Sequence, residues 1–246
     1  MNRLDRVFGL HAVASLLERH PGRVRKLWLQ QGRQDSRAEQ LRKLALDAGI
    51  AVGLRPVADL EQMAEGGVHQ GAVAEVVPAP VLDEGSLPEL VRKAGAAPFF
   101  LVLDGVTDPH NVGACLRTAD AVGVDAVIVP RDRAAGLTPV VRKVAAGAAE
   151  TVPFVQVTNL ARSLRDLKDL GVWIVGTEGE ADKDLYAADL KGPLAVVMGA
   201  EGAGMRRLTR ELCDFTIRLP MQGTVESLNV SVATGIVLYE ALRQRR

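Results

Sequence analysis

The chain has 246 residues, of which 48% are hydrophobic and 24% charged, and these average proportions exclude wholesale disorder. Thirty basic residues balance thirty acidic ones, which excludes a uniformly basic coat protein for nucleic acids. No apolar run reaches the about 20 residues of a membrane span, and the start lacks the apolar stretch of a signal peptide. Because only Cys115 and Cys213 are present, a disulfide framework and a structural zinc site are excluded, and we expect a reducing, cytoplasmic location and no metal.

The first part of the chain alternates β-like runs with amphipathic helices. In the first helix, the spacing of Leu10, Val13 and Leu16 forms one apolar stripe. The predicted elements are a helix at 9–18, a strand at 24–30, a helix at 36–48 and strands at 50–52 and 71–76. Together they predict a small α/β domain over residues 1–77.

Residues 78–98 interrupt this periodicity and are predicted to be a linker. Pro78, Pro80 and Pro88 punctuate the segment, together with a polar run at 83–86. We expect a short helix at about 87–95 within it.

The remaining residues, 99–246, repeat a strand–turn–helix rhythm. The run at 99–103 is entirely apolar, which is typical of a strand buried on both faces of a parallel sheet. Further strands are predicted at 126–129, 173–175, 194–198 and 215–219, with helices from near Asn111, at 161–170 and at 228–242. This alternation predicts an α/β fold with a mostly parallel sheet.

The charge is uneven between Arg19 and Lys43. Eight basic residues oppose two acidic ones there, Asp35 and Glu39, which gives a local net charge of +6. Such a segment can bind phosphates without sequence preference, although a merely solvated helix face is the alternative.

Three loops follow strands of the predicted sheet, in the position where open α/β sheets bind ligands. The first, 103–117, places Asn111 at a plausible helix N-cap, with Arg117 on the otherwise apolar helix that follows. The second, 198–205, sets Glu201 among three glycines and precedes a helix carrying several arginines. The third, 219–231, holds more polar residues than one helix cap needs, namely Glu226, Ser227, Asn229 and Ser231.

Several familiar catalytic motifs are absent from these loops. The glycine spacing fits neither the dinucleotide fingerprint nor the P-loop, and there is no Gly-x-Ser-x-Gly elbow. A hydrolytic triad of Ser227, His110 and Asp104 is conceivable, and we reject it because no other feature supports it.

Taken together, the three loops resemble the SpoU/TrmH (SPOUT) family of RNA ribose 2′-O-methyltransferases. The resemblance covers about residues 99–243 and rests on three motifs in order: DPHNVGACLRTAD, VVMGAEGAGM and LPMQGTVESLNVSVATGIVLYEAL. The FGLHAV start and the run at 68–71 are similar to the ribosomal-protein-L30e-like substrate-binding domain of many members. Over its full length the chain is similar to bacterial 23S rRNA guanosine-2′-O-methyltransferases.

The resemblance implies a catalytic domain with a deep trefoil knot, S-adenosyl-L-methionine as cofactor, RNA as substrate and a homodimer. It implies cofactor contacts at Thr177, Glu178, Gly179, Gly199, Leu219 and Leu228. It implies a catalytic set of Asn111, Arg117, Glu201, Ser227 and Asn229. In this set Arg117 would position the ribose and stabilise the developing alkoxide, the two asparagines and the serine would orient the ribose, and Glu201 would hold Arg117 or another donor.

The expected activity is methylation of a guanosine ribose in 23S rRNA, and two alternatives stay open. One keeps the chemistry and changes the substrate to tRNA or another rRNA site. The other is a non-catalytic RNA-binding assembly factor that keeps the fold.

Overall fold

The computed structural model describes residues 4–33, 35–181 and 183–246 and divides the chain into two units. One comprises Met1–Pro80 with Ala146–Thr151, and the other comprises Val81–Ala145 with Val152–Arg246.

The N-terminal unit is built on a four-stranded sheet. Its elements are β1 (Asp5–Phe8), α1 (Leu10–Arg19), β2 (Val24–Gln30), α2 (Ser36–Asp47), β3 (Ala51–Arg55), α3 (Val57–Ala64) and β4 (Ala72–Val76). The strand order is β1-β4-β2-β3, with β2 and β3 parallel and the other two pairings antiparallel. The predicted apolar stripe of α1 is buried in the core of this unit, as Leu10, Val13, Leu16 and Leu17 are all buried.

The C-terminal unit is built on an eight-stranded sheet. Its elements, with one helix of the other unit in sequence among them, are β5 (Val81–Leu82), α4 (Leu87–Ala94), β6 (Phe99–Asp104), α5 (Pro109–Val122), β7 (Ala126–Pro130), α6 (Pro139–Val144), α7 (Ala148–Thr151, in the N-terminal unit), β8 (Phe154–Val157), α8 (Leu160–Asp169), β9 (Trp173–Thr177), β10 (Lys183–Asp184), β11 (Leu194–Gly199), α9 (Arg207–Leu212), β12 (Phe215–Arg218) and α10 (Val230–Arg245). Short 3₁₀ turns lie at Pro21–Arg23, Glu84–Ser86 and Leu185–Ala187.

The large sheet is parallel throughout, as the sequence predicts. Its strand order is β10-β12-β9-β11-β6-β7-β8-β5, and each pairing between neighbouring strands is parallel. All six residues of the central strand β6 are buried, which confirms the prediction of a strand covered on both faces.

Several short elements were not predicted, namely β1, α3, β5, α6, α7, β8 and β10. Within 78–98, the segment predicted as a linker, β5 pairs with β8 in the large sheet, and Leu87 of α4 is buried in the core of the C-terminal unit. That segment therefore contributes secondary structure to the C-terminal unit, and α4 follows the predicted short helix closely.

The carboxyl ends of β6, β11, β9 and β12 form one continuous part of the sheet edge. The three loops singled out in the sequence follow β6, β11 and β12. Neighbouring parallel strands bring their carboxyl ends to the same edge, so loops far apart in the chain converge there.

Candidate active site

The site begins with the first turn of α5. Asp108 is the N-cap of this helix, since its side chain accepts a 2.9 Å hydrogen bond from the His110 amide, and Pro109 occupies the first helical position. The prediction that Asn111 is the N-cap is therefore wrong, because proline favours the first turn and places the cap one residue before itself. Asn111 lies inside the helix instead and is only 8% exposed.

Three of the predicted catalytic residues meet in one hydrogen-bonded cluster. The Glu201 Oε1 atom accepts hydrogen bonds from Asn111 Nδ2 at 3.2 Å and from Asn229 Nδ2 at 2.7 Å. The Asn229 Nδ2 atom also donates to Asn111 Oδ1 at 2.9 Å. The donors that Glu201 holds are thus the two asparagine amides, and we name these three residues the amide–carboxylate cluster.

Asn229 has a second role as the cap of the last helix. Its Oδ1 atom accepts a 2.9 Å hydrogen bond from the Ser231 amide, which satisfies a donor at the start of α10. The Val230 amide donates to Glu201 Oε1 at 3.3 Å, so the start of α10 is tied directly to the glycine loop. Asn229 therefore caps α10, as predicted, and also makes the polar contacts to Asn111 and Glu201.

The loop after β11 turns back on itself and leaves no space for side chains at its base. Ala200 and Gly204 exchange backbone hydrogen bonds of 3.0 and 2.9 Å. A Cβ atom on Gly199 would lie 2.3 Å from the Gly204 carbonyl carbon and 2.4 Å from the Met205 nitrogen. Glycine is therefore required at 199 by close backbone approach, and the resulting turn holds Glu201 toward α5 and α10.

Arg117 and Ser227 lie outside the amide–carboxylate cluster. Arg117 is exposed on α5, and within the described part of the chain no hydrogen bond or ion pair involves its guanidinium group. It lines a cavity of about 350 Å³ between α5 and α10, together with Ser231 and Tyr239. Ser227 is exposed in the loop before α10.

Five of the six predicted cofactor residues lie at or directly after the ends of three neighbouring strands, and Leu228 lies just before α10. Thr177 ends β9 and donates from its hydroxyl to the Val197 carbonyl at 3.0 Å. Gly199 ends β11, and Leu219 directly follows β12. Leu219 and Leu228 are half-buried, whereas Gly179 is exposed.

One carboxylate oxygen of Glu178 accepts no hydrogen bond from any residue that the structure describes. Its Oε1 atom pairs with Arg210 Nη2 at 2.7 Å, whereas Oε2 is buried and has no hydrogen-bond partner there. A buried acceptor of this kind is suited to a hydroxyl or amino donor of a ligand. The free Glu178 acceptor, directly after β9 at the edge where the predicted cofactor residues Thr177 and Gly199 also lie, thus fits a hydroxyl or amino group of a nucleoside-containing cofactor.

The sequence analysis did not assign a role to the ion pair beneath this loop. The Asp104 side chain, fully buried at the end of β6, accepts from the Arg206 backbone amide at 2.9 Å and pairs with its guanidinium at 2.5 Å. In the sequence, the one signal for this ion pair was an acidic residue, Asp104, at the end of an apolar strand. The Asp104 carboxylate pairs with Arg206 and makes no hydrogen bond to His110 in the described residues. The rejected triad of Ser227, His110 and Asp104 is therefore not formed.

Neither cysteine is suited to nucleophilic chemistry. Burial raises the pKa of the Cys115 thiol to about 11, although its hydrogen bond to Thr234 opposes the shift. Burial, followed by the negative charge of Asp214, raises the pKa of Cys213 to about 12. Both stay protonated thiols near neutral pH.

Across residues 4–33, 35–181 and 183–246, no group of three potential metal ligands is found, and no helix is long and apolar enough to cross a membrane.

Comparison with known proteins assigns both units. Residues 98–239 match the SpoU rRNA Methylase family, and residues 6–82 match the family described as RNA 2'-O ribose methyltransferase substrate binding. The 23S rRNA (guanosine-2'-O-)-methyltransferase RlmB of Pseudomonas aeruginosa PAO1 is 60% identical over 245 residues, which cover 100% of this chain and 98% of that protein. The enzyme of the same name from Escherichia coli K12 is 54% identical over 241 residues, which cover 98% and 99%.

Solved structures agree with this assignment. The SpoU methyltransferase AviRb of Streptomyces viridochromogenes, crystallised with the cofactor AdoMet, superposes with a TM-score of 0.73 at 26% identity and covers 97% of this chain and 89% of its own. An AdoMet-bound rRNA methyltransferase of Sinorhizobium meliloti shares the fold, with a TM-score of 0.73 at 24% identity over 98% of this chain and 87% of its own. The chain therefore belongs to the SpoU rRNA methylase family.

Proposed function

We propose that this protein transfers a methyl group from S-adenosyl-L-methionine to the ribose 2′-oxygen of a guanosine in 23S rRNA. The observation that carries the proposal is the amide–carboxylate cluster, which stands at the sheet edge beside the glycine turn. Relatives that are 54–60% identical over nearly the full chain are named for this reaction and support the choice of substrate. The relatives' names favour 23S rRNA over tRNA, and the assembled cluster argues against a non-catalytic factor.

The cofactor lies, in this proposal, at the ends of β9, β11 and β12. Thr177, Glu178 and Gly179 form one wall, and Gly199, Leu219 and Leu228 complete the site. The support is the buried Glu178 Oε2 atom, which can accept from a cofactor hydroxyl or amino group, and the common sheet edge at which Thr177, Gly199 and Leu219 lie. When bound, S-adenosyl-L-methionine supplies an electrophilic methyl group on its sulfonium.

The protein's own residues orient and activate the ribose. Asn111 and Asn229 are held by Glu201, so their amides are oriented before substrate binds. Preorganised donors of this kind lower the barrier because they need no rearrangement during reaction. Ser227, from the same loop as Asn229, adds a hydroxyl to the ribose site.

Arg117 stabilises the negative charge that develops on the ribose oxygen as the hydroxyl passes its proton to solvent water. Arginine stays protonated in proteins, so we assign it positioning and charge stabilisation rather than proton abstraction. Its lack of an ion-pair partner in the described residues supports this role, because the guanidinium donors are available to substrate.

The N-terminal unit contributes RNA recognition, and the chain works as a homodimer. The substrate-binding family match supports the first statement. The second is supported by the exposed apolar side chains of Val232 and Tyr239 on α10, which are 52% and 54% exposed beside Arg117. Sedimentation velocity of the wild type and of Tyr239→Arg tests the dimer, and a monomeric wild type would contradict it.

The trefoil knot and the cytoplasmic location stay predictions. Contacts of the last helix support the knot, because Gln244 bonds the backbone of Ala188 at 3.0 Å and Leu190 at 2.9 Å. Arg245 in turn donates to the carbonyls of Ala97 and Gly192, so the end of α10 contacts chain segments that precede β6 and β11, as a helix threaded behind them would.

The proposal is tested by incubating the purified protein with radiolabelled S-adenosyl-L-methionine and unmodified 23S rRNA, with total tRNA in parallel. Mapping 2′-O-methyl sites should place the label at one 23S guanosine. Label only in tRNA would keep the chemistry and overturn the substrate, and the absence of label together with absent cofactor binding in calorimetry would overturn the enzyme assignment.

Arg117→Ala should lower methyl transfer about a hundredfold, since one lost electrostatic donor costs about 3 kcal/mol. Arg92→Ala is the matched control, because Arg92 is an exposed helical arginine that pairs with Glu89 on its own helix. Near-normal turnover of Arg117→Ala, with the control also active, would remove Arg117 from the mechanism.

A further inference from the structure

A second cleft opens on the C-terminal unit at the carboxyl ends of β7 and β8. It has a volume of about 310 Å³ and lies between the start of α8 and the start of α9. Its lining includes Asp132, Thr158, Leu160, Ala161, Arg206 and Arg207. None of them belongs to the residues assigned above to catalysis or to the cofactor.

The segments that form this cleft are strongly basic. Arg206 and Arg207 line the cleft itself. Residues 130–133, 158–162 and 206–210 contain one acidic residue, Asp132, and four further exposed arginines that flank the cleft: Arg131, Arg133, Arg162 and Arg210. We name these three segments the arginine cleft. A surface that is rich in one sign of charge attracts a polymer of the opposite sign.

Part of this charge is left without a carboxylate partner. Arg206 pairs with buried Asp104, Arg207 with Glu211 at 2.6 Å, and Arg210 with Glu178. Within the residues that the structure describes, the other three arginines, at 131, 133 and 162, make no ion pair, and one further carboxylate, Glu84, lies beside them and accepts from the Thr158 amide at 3.4 Å. Unpaired exposed guanidinium groups retain the donors with which arginine binds phosphate.

The start of α8 adds hydrogen-bond donors to the same cleft. Asn159 caps this helix by accepting from the Arg162 amide at 3.0 Å. The amides of Leu160 and Ala161, in the first turn of a ten-residue helix, have no acceptor within the helix. Amides of this kind favour anions, so they act in the same sense as the arginine charges.

The arginine cleft is joined directly to the proposed active site. Arg206 lines the cleft and ends the loop that carries Glu201, and its backbone and side chain are both fixed by Asp104. One loop therefore borders the amide–carboxylate cluster on one side and the cleft on the other. Glu201 and Arg206 are five residues apart in this loop, so the chain between them spans at most about 18 Å.

We propose that the arginine cleft binds the sugar–phosphate backbone of the RNA strand next to the methylated nucleotide. The inference rests on the proposed function, since it concerns the same RNA substrate. It assigns the cleft a sequence-independent role, because arginines that contact phosphate position a strand without reading its bases.

The test compares the wild type with the triple variant Arg131→Gln/Arg162→Gln/Arg207→Gln, using an unmodified 23S rRNA transcript in filter binding at several salt concentrations. These three side chains are exposed and take no part in the proposed chemistry. Lys191→Gln is the control, because it removes one exposed positive charge before β11, at the opposite edge of the sheet. Calorimetry with S-adenosyl-L-methionine checks that each variant retains its cofactor site.

We expect the triple variant to bind RNA roughly tenfold or more weakly, with a salt slope lower by about 0.7 for each lost phosphate contact. Cofactor affinity should stay within about twofold of the wild type. If the wild type methylates RNA and the triple variant has the same RNA affinity and salt slope, the proposed role of the arginine cleft is overturned and the proposed function stands. A wild type that neither binds nor methylates the transcript would overturn the proposed function together with it.

Discussion

The amide–carboxylate cluster and the basic segment at 19–43 use their polar side chains in opposite ways. In the cluster, side chains from α5, the glycine loop and the start of α10 converge on one carboxylate oxygen. In the basic segment, the charged side chains do not converge on one group, and several of them bind other residues of the N-terminal unit. The Arg23 guanidinium binds Glu150, and Arg33 binds Asp35 and the Gln70 carbonyl.

The difference shows that a count of charges is a poor measure of a binding surface. Of the eight basic residues in the segment, Arg23 and Arg33 are committed to ion pairs, and Lys26 lies 4.0 Å from the centroid of the Trp28 ring. The exposed remainder includes Arg25, Arg37, Arg42 and Lys43. We therefore expect large effects from single changes in the cluster and small, additive effects on RNA binding from single changes in the segment.

The largest effect on stability should come from a basic residue that the charge count assigned to the RNA surface. Arg23→Gln removes the guanidinium from Glu150, whose side chain is 4% exposed, and from the Val77 carbonyl. Removing one partner of an ion pair that involves a buried carboxylate costs about 3–5 kcal/mol. Urea unfolding followed by Trp28 fluorescence, in a Trp173→Phe background, should report this loss.

Arg37→Gln is the control for that measurement, because Arg37 is exposed on α2 and its side chain makes no hydrogen bond in the described residues. It should leave the unfolding midpoint nearly unchanged. If Arg23→Gln cost less than 1 kcal/mol, the Arg23–Glu150 pair would not stabilise the N-terminal unit, and Arg23 would return to the RNA surface.

The next largest effect concerns the cluster itself. Glu201→Ala removes the acceptor that orients both asparagine amides, so methyl transfer should fall about a hundredfold to a thousandfold, or about 3–4 kcal/mol. Cofactor affinity in calorimetry should change little, because Glu201 is not among the cofactor residues. Glu226→Ala, which removes an exposed carboxylate of the third loop, should stay active. Equal activity of the two variants would show that the cluster does not orient the ribose.

Much of the fold could be predicted from local pattern. The continuous apolar runs that became β6, β7 and β11 and the periodic stripe of α1 are local signals, and each element is found within two residues of its predicted bounds. Elements such as β8, with the four residues FVQV, and the eight-residue α3 are too short to show a period. Their structure depends on neighbours that are distant in sequence.

For the candidate site, the motifs supplied a list of residues, and the contacts among these residues could not be predicted from the sequence. The resemblance implied Asn111, Glu201 and Asn229 from their motifs, yet the partners of Glu201 are 90 and 28 residues away in sequence. The Asp104–Arg206 pair spans 102 residues. Such contacts depend on strand order, which brings β6 beside β11, and no spacing within one loop encodes that order.

A smaller effect is expected from adding one methyl group to the glycine loop. In Gly199→Ala the new Cβ atom meets backbone at 2.3 Å, and backbone cannot move aside as a flexible side chain can. Forced overpacking costs about 1–3 kcal/mol, and the displaced turn should weaken S-adenosyl-L-methionine binding in calorimetry. Gly223→Ala is the control, since nothing lies within 4 Å of its added Cβ and its φ is not positive. Equal cofactor affinity in the two variants would exclude the turn at Gly199 from the cofactor site.

The smallest effects should come from the exposed arginines of the N-terminal unit. Arg37→Gln and Arg42→Gln each remove one charge from the surface of α2 without breaking an ion pair in the described residues. Each should weaken 23S rRNA binding by less than about fivefold and lower the salt slope by less than one unit, because phosphate contacts are individually weak and additive. The double variant should show the sum of the two effects in free energy. A loss as large as that of Glu201→Ala from either single variant would break the contrast, because it would mean that a specific contact on α2, rather than diffuse charge, binds the RNA.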